Sequence, residues 1–410
     1  MAKILGYTSP ARGHLFPMVA ILEQLHLRGH QISLRTLDSE TRSFTAAGFE
    51  ASPIDPEIEA ILPVDYKARS PQKALLSSVA TFVERAPLDA RDLSRAIEAE
   101  DPDFVLVDTN AWGAVAAAER WGGPWAMMCP FPIPLSGDGI PPYGPGFKPA
   151  IGPFGRMRDG LLRPMVLGTV KKAMVPPLNR IRHDVGLTPL DDIDDLYLRP
   201  PLVLYLTAEG FEYARGDWPS TIQMVGPCVW ERPTKTPEWL EATDRPVVLV
   251  TTSSEFQNDG RLVQIALDAL ANEPFEVVAT VPAGLPSDYR IPANAHVEQF
   301  LAHSPVLAKA ACAITHGGMG VTQKALSFGV PVCAVPFGRD QLEVARRVAV
   351  SGSGSKLNSK KLAVERLRKK VRDAVDCRAG AEVVAELFRV AGGPSRAADL
   401  IESALATTRP

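Results

Sequence analysis

The chain has 410 residues, more than one hydrophobic core usually supports, so we expect two domains. Its 44 basic and 47 acidic side chains give a formal net charge of -3, which excludes a strong field drawing the protein to nucleic acid or to an anionic membrane. We therefore expect a small-molecule partner. No apolar run reaches the ~18 residues that a membrane span needs, so we predict a cytoplasmic protein without stable membrane insertion. We expect a monomer or a homodimer.

Strands and helices alternate through the first half of the chain. The strand KILGYTS is followed by the helix PMVAILEQLHLRGH, which is expected to start at Pro17, and by the strand QISLRT. A polar helix at 41–47 and a long helical insert at about 72–99 precede the strand FVLVDT, the helix AVAAAERWG and the strand PWAMMC. This βαβ alternation predicts a parallel sheet.

The middle of the chain changes character. Proline and glycine crowd residues 130–153, which predicts a long functional loop or lid. Residues 227–244 are rich in proline and charge and are typical of an interdomain linker.

A second βα series follows this linker. It contains the strands VVLVTT, EVVATV, CAIT and VPVCAVP, with helices between them, and three helical segments after Leu357. We predict an α/β protein with Rossmann-like domains at 1–226 and 245–390 and a final helical segment at 391–410.

The cysteines give no sign of a metal site or a disulfide. Cys312 and Cys333 lie in apolar strands, no C-x-x-C pair occurs, and no H-E-x-x-H or comparable spacing is found. We expect all five to be reduced; they are Cys129, Cys228, Cys312, Cys333 and Cys377.

Two polar residues stand where strands of the first domain end. His14, in SPARGHLFP, follows the first strand and is either a general base with a pKa near neutrality or a solvated capping residue. Asp108 ends the strand FVLVD and either orients an imidazole or forms an Asx turn.

The second domain has its own candidates at strand ends. His316 is followed by glycines at 317, 318 and 320, and this strand-to-helix turn is either an anion site or a plain tight turn. After the next strand, Asp340 and Gln341 offer hydrogen bonds suited to vicinal hydroxyls of a sugar, although Asp340 is also a suitable helix cap.

Taken in order, these motifs resemble a known family across essentially the whole chain. The pieces are G-H-x-x-P, a strand-end aspartate, F-x-x-H-x-x-V-L, H-G-G-x-G and V-P-x-x-x-D-Q. The chain resembles family 1 nucleotide-sugar glycosyltransferases of the GT-B fold, in particular actinobacterial enzymes that glycosylate antibiotics and other natural products. This fold places two Rossmann-like domains face to face across a cleft, with a C-terminal helix packing back on the first domain.

The resemblance also implies an activity. An inverting hexosyl or deoxyhexosyl transfer (EC 2.4.1-type) would move a sugar from a nucleotide-sugar, a co-substrate, to a hydroxyl of a hydrophobic acceptor without cofactor or metal. His14 matches the catalytic base and Asp108 its carboxylate partner. The positions that match the donor site are Ser253, Ser254, Phe300, His303, His316, Gly317, Gly318, Met319, Gly320, Thr322, Asp340 and Gln341.

The sequence departs from the family pattern at the donor site. Lys324 stands where members that bind a ribonucleotide often carry a glutamate for the ribose hydroxyls, and a lysine cannot accept those hydrogen bonds. This favours a dTDP-deoxysugar over a UDP-hexose. Ala302 replaces a usual proline, and TTSSEF replaces the more familiar S-x-G loop.

The acceptor side leaves alternatives open. Aromatic residues of the first domain either line an apolar cleft or pack in the ordinary core; they are Trp112, Phe131, Phe147 and Phe154. The alternative functions are a glycolipid glycosyltransferase of the same fold and a non-catalytic nucleotide-sugar-binding helper. We find no exposed basic and apolar helix in the sequence, which argues against the lipid enzyme.

Overall fold

The computed structural model describes residues 1–137, 139–150, 152–257, 259–284 and 289–408. Within them, a seven-stranded parallel sheet has the order β3-β2-β1-β4-β5-β6-β7. Its strands are β1 (Lys3–Tyr7), β2 (Gln31–Thr36), β3 (Glu50–Pro53), β4 (Phe104–Asp108), β5 (Trp125–Cys129), β6 (Val203–Tyr205) and β7 (Ile222–Met224).

Helices cover both faces of this first sheet. They are α1 (Arg12–Leu27), α2 (Asp38–Ala46), α3 (Pro56–Ala60), α4 (Pro71–Glu100), α5 (Trp112–Trp121), α6 (Gly152–Asp184) and α7 (Asp195–Leu198). The central strands β1, β4, β5 and β6 are buried on both faces, as expected for parallel strands between helices. Helices α4 and α5 approach so closely that a Cβ on Gly113 would lie 1.8 Å from the carbonyl oxygen of Ala86.

A second parallel sheet follows in the described residues, in the order β10-β9-β8-β11-β12-β13. Its strands are β8 (Val247–Thr251), β9 (Glu276–Thr280), β10 (Ala295–Glu298), β11 (Ala310–Thr315), β12 (Val332–Ala334) and β13 (Gly354–Lys356). The accompanying helices are α8 (Glu238–Ala242), α9 (Arg261–Leu270), α10 (His303–Leu307), α11 (Met319–Ser327), α12 (Gln341–Val350), α13 (Val364–Val375), α14 (Arg378–Ala391) and α15 (Gly393–Thr408).

Both sheets have the strand order of a doubly wound fold, and the predicted α/β architecture of two Rossmann-like domains is confirmed. In such sheets ligands bind beyond the carboxyl ends of the strands, where the strand order reverses. The reversal lies between β1 and β4 in the first sheet and between β8 and β11 in the second. The loops after these four strands are therefore the first place to look for a site.

The last helix returns to the first domain. Ala397, Ile401 and Leu405 of α15 are buried in the same apolar cluster as residues of α1. Arg28, after α1, forms ion pairs with Asp399 and Glu402 of α15. In the described residues, no helix is both long enough and apolar enough to traverse a bilayer.

Two helices differ from the sequence expectation. Helix α1 begins at Arg12, not at Pro17, so His14 lies in the first helical turn and Pro17 lies inside the helix. Helix α6 continues through Pro164, Pro176 and Pro177 for 33 residues. Prolines usually end helices, so the sequence pattern did not reveal the length of α6.

Candidate active site

His14 and Asp108 meet at the reversal point of the first sheet. Nδ1 of His14 lies 2.6 Å from Oδ1 of Asp108, and the other carboxylate oxygen accepts the N–H of Ser9 at 3.0 Å. Asp108 is fully buried, whereas 16% of the His14 side chain is exposed. The carboxylate therefore fixes the ring orientation and leaves Nε2 without a bond to Asp108.

The surroundings of this pair shift both pKa values. Burial alone would lower the pKa of His14, but the charge and hydrogen bond of Asp108, together with the charges of Glu255 and Asp340, outweigh it and raise that pKa. Burial alone would raise the pKa of Asp108, and the His14 and Ser9 contacts reverse it, so the net shift is downward. The site thus favours an imidazolium paired with a carboxylate over two neutral groups.

Asn110 is a site residue that the sequence analysis missed. Its Nδ2 lies 3.2 Å from Nε2 of His14. When Nδ1–H donates to Asp108, Nε2 is left as an acceptor, and the Asn110 amide can satisfy it. The sequence feature that could have identified Asn110 is its position two residues after Asp108. Phe131 also contacts this histidine, with 5.9 Å between the ring centroids.

The glycine turn stands at the reversal point of the second sheet. It joins β11 to α11, with Gly317 at a φ of 86° and Gly318 at the N-cap. A Cβ on Gly318 would lie 2.4 Å from Nε2 of His316, so the ring packs over the turn. A Cβ on Gly320 would meet nothing within 4 Å. The first turn of α11 is thus open to an anion near Gly320.

The other residues of this motif are buried. Burial lowers the pKa of His316 to about 4, so the ring is neutral at pH 7. The buried Oγ1 of Thr322 has no hydrogen-bond partner among the described residues. Met319 is 4% exposed, and its side chain packs in the apolar core.

Asp340 and Gln341 lie beside the glycine turn but use their side chains differently. Asp340 is the N-cap of α12, yet its carboxylate makes no cap hydrogen bond. Oε1 of Gln341 accepts the N–H groups of Phe337 and Gly338, and its Nε2 donates to Gln257 at 2.6 Å. The Gln341 amide therefore stabilises the loop in this structure.

The two domains bring their candidate residues together across the cleft. Asp340, in the second domain, helps to raise the pKa of His14 in the first, so the two side chains are close enough to interact electrostatically. Arg339, which the sequence analysis did not select, donates to both oxygens of Asp65 at 3.0 Å each and to Glu255 at 2.6 Å. Its only sequence signal was its place before Asp340.

The loop after β8 and the start of α10 complete the donor side. Oγ of Ser253 accepts from the side-chain amide of Gln257 at 2.8 Å, and the neighbouring Ser254 is partly buried. Phe300 is 48% exposed. Nε2 of His303 lies 3.0 Å from Oγ1 of Thr280.

Glu231, from the linker, is another site residue that the sequence analysis missed. It forms an ion pair with Lys324, and it accepts the N–H groups of His303 at 2.8 Å and Ser304 at 3.1 Å. Lys324 is 8% exposed, so the pair is largely withdrawn from water. Both oxygens of Glu231 are occupied in this structure.

Comparisons with known proteins agree with this architecture. Residues 264–397 match the family described as "Erythromycin biosynthesis protein CIII-like, C-terminal domain". The 4'-demethylrebeccamycin synthase of Lentzea aerocolonigenes is 30% identical over 389 residues, covering 92% of each chain. A PGL/p-HBAD biosynthesis glycosyltransferase of Mycobacterium tuberculosis is 32% identical over 237 residues, covering 56% of this chain and 54% of that one.

Solved structures show that the fold is shared. The calicheamicin glycosyltransferase CalG4 aligns over 100% of both chains with a TM-score of 0.75 and 22% identity. The Streptomyces sp. SF2575 glycosyltransferase SsfS6, complexed with thymidine diphosphate, aligns over 98% of this chain and 100% of that one, with a TM-score of 0.69 and 20% identity.

Proposed function

The chain belongs to the actinobacterial natural-product glycosyltransferases of family 1, and from this premise we propose that it transfers a sugar, with inversion, from a nucleotide-sugar to a hydroxyl of a hydrophobic natural product. That the protein is a glycosyltransferase follows from its family. The proposal adds the mechanism, the donor and the acceptor class. It depends chiefly on one observation, the 2.6 Å contact between His14 and Asp108 at the reversal point of the first sheet.

In the proposed reaction, Nε2 of His14 takes the proton of the acceptor hydroxyl while that oxygen attacks the anomeric carbon. The bond from this carbon to the diphosphate oxygen breaks, and the nucleoside diphosphate leaves with the bonding electrons. Asp108 offsets the positive charge that grows on the imidazole. Nε2 would exchange its contact with Asn110 for one with the acceptor.

The leaving diphosphate gains negative charge, and the start of α11 would stabilise it. Backbone N–H groups near Gly320 and the helix dipole are fixed in place before the reaction, so they cost little reorganisation. His316 would add a neutral donor, in keeping with its lowered pKa of about 4. Asp340, whose carboxylate makes no cap bond, is the proposed sugar contact.

The proposed donor is a dTDP-deoxysugar. Lys324 offers no hydrogen-bond acceptor, and both oxygens of the Glu231 carboxylate beside it are already occupied. The 2′-hydroxyl of a ribose would therefore find few acceptors here, whereas a deoxyribose has no 2′-hydroxyl to satisfy. The thymidine diphosphate bound to SsfS6 lends support to this preference.

A glycolipid precursor is a second candidate acceptor. The mycobacterial relative, whose name assigns it to PGL/p-HBAD biosynthesis, supports this alternative. The relative from Lentzea aerocolonigenes, which is named for 4'-demethylrebeccamycin synthesis and is similar over more of the chain, favours a natural product of that kind.

His14→Ala tests the proposal. We expect the rate of sugar transfer to fall on the order of 10²- to 10⁴-fold, because the acceptor hydroxyl loses its base. Binding of dTDP, measured by calorimetry, should not change, because His14 lies in the other domain. The transfer assay contains EDTA, since the proposed mechanism uses no metal ion.

The same titrations compare dTDP with UDP. Tighter binding of dTDP would support the deoxysugar donor, and tighter binding of UDP would contradict it. Near-normal transfer by His14→Ala would overturn the assignment of the base. His183→Gln is the matched control, because this histidine is 90% exposed on α6 and should not affect the reaction.

A further inference from the structure

Helix α6 carries an apolar stripe that no other part of the described chain covers. Phe154, Met157, Leu161 and Met165 are 81%, 59%, 70% and 68% exposed. They follow one another at spacings of three and four residues, so they share one face of the helix. A contiguous exposed apolar surface of this kind marks an interaction site more often than isolated exposed residues do.

The opposite face of α6 is the one that packs on the protein. Arg163 donates to the carbonyl oxygens of Gly137 and Ile140, at 3.1 and 2.8 Å. Leu167 lines a small cavity with the same proline-rich loop. Arg163 and Leu167 lie two residues after Leu161 and Met165, which places them across the helix from the stripe. The stripe is therefore turned away from the loop.

The charge around the stripe indicates what it binds. Residues 139–184 contain eight lysines and arginines and two acidic side chains, Asp159 and Asp184, in a chain whose net charge is -3. Asp184 is the last residue of α6, 19 positions beyond the end of the stripe. Asp159 is 4% exposed and bonded to Arg158, so it offers no negative charge to the surface. Exposed Lys148, Arg156 and Lys172 form no ion pair with a described residue. Lys172 extends the stripe, two turns beyond Met165.

We propose that α6 lies on an anionic lipid bilayer, with the stripe in the boundary between headgroups and acyl chains and the lysines and arginines against the lipid phosphates. Apolar residues on one side of a helix with basic residues along it are the pattern of interfacial helices, which lie on a membrane and do not cross it. The sequence expectation that the chain lacks an exposed basic and apolar helix is wrong. The glycines and prolines of α6 hid it.

Vesicle flotation of the full chain tests this proposal. We expect the protein to float with vesicles of phosphatidylglycerol and phosphatidylcholine, and to bind pure phosphatidylcholine at least tenfold more weakly. Leu161→Ser/Met165→Ser should weaken binding to the anionic vesicles at least tenfold. Arg156→Gln/Lys172→Gln should reduce the difference between the two kinds of vesicle, and high salt should do the same.

Val383→Ser/Val390→Ser is the matched control. These two valines of α14 are also exposed, at 61% and 69%, but lie on another helix. The proposal is overturned if the wild-type protein does not float, or if this control variant weakens flotation as much as the stripe variant. It is also overturned if light scattering shows that the wild-type protein is a dimer and the stripe variant is a monomer, because a second copy would then cover the stripe. Transfer to a water-soluble acceptor is measured separately and tests only the proposed reaction.

Discussion

At the scale of single residues, the environment of His14 determines when the proposed base can act. The pKa of a free histidine is 6.5, and in this site Asp108 raises it in spite of burial. A protonated imidazole cannot accept the proton of an acceptor hydroxyl. The carboxylate that stabilises the imidazolium during the reaction therefore also keeps the ring protonated at low pH, where it cannot act as a base.

The pH profile of kcat/KM should show this shift. We expect activity to rise with pH through the raised pKa of His14, because only the neutral ring takes a proton. In Asp108→Asn the stabilising charge is gone and burial lowers the pKa, so the acid limb should move to lower pH while the maximal rate falls. An unchanged limb in this variant would contradict the pairing. His183→Gln should leave the limb in place.

At the scale of elements, the proline- and glycine-rich loop is fastened to the donor domain. Oε1 of Glu343, on α12, accepts the N–H groups of Gly144 and Gly146 at 2.8 and 2.9 Å. Arg346 of the same helix donates to the carbonyl oxygen of Gly146 at 2.7 Å. Since α12 begins at Gln341, the loop and the proposed sugar contact are held by one helix.

Gly146→Ala should release the loop. A Cβ there would lie 2.5 Å from the carbonyl oxygen of Leu342, in backbone that already has a φ of 63°. We expect faster chymotryptic cleavage after Tyr143 and Phe147, and a lower kcat/KM, because the loop can no longer dock on α12.

Gly139→Ala separates the clash from backbone strain. Gly139 has a φ of 73° in the same loop, but a Cβ there would meet nothing within 4 Å. Left-handed backbone should cost both variants a similar ~1–2 kcal/mol. Equal cleavage rates in the two variants would therefore argue against docking of the loop on α12.

At the scale of the whole molecule, charged groups join the two domains. Arg347 of α12 is 3% exposed and bonds to Glu212, which is 5% exposed and follows β6 of the first sheet, and to Glu343. A second bridge links Arg339 to Asp65 near the cleft. Buried ion pairs add little net stability, but removal of one partner leaves the other as an unpaired charge buried away from water.

Arg347→Met should therefore destabilise the protein by about 3–5 kcal/mol, because two buried carboxylates lose their counterion. Urea unfolding followed by fluorescence measures the loss. Arg389→Met removes an arginine from an exposed pair with Glu386 and should leave the midpoint unchanged. A wild-type midpoint for Arg347→Met would show that the pair does not hold the domains together.

The periodicity of the sequence was sufficient to predict α/β domains with parallel sheets, and the family resemblance added how the two domains and the last helix are arranged. Alternation of apolar strands and helices depends on neighbouring residues, so it was visible in KILGYTS, FVLVDT and VPVCAVP. The same local signals selected His14, Asp108 and the turn after His316, since all follow strands. Helix α6 escaped because its prolines and glycines obscure the helical pattern.

Tertiary structure alone showed which distant residues meet, apart from His14 and Asp108, whose pairing the family resemblance had implied. His14 and Asp108 are 94 positions apart, Lys324 and Glu231 are 93 apart, and Arg339 and Asp65 are 274 apart. Local patterns specify the type of each element, but such contacts depend on strand order and on how the domains close. The sequence by itself thus determined which polar residues stand at the strand ends. The roles of Asn110 and Glu231 emerged only when distant segments were brought together by packing.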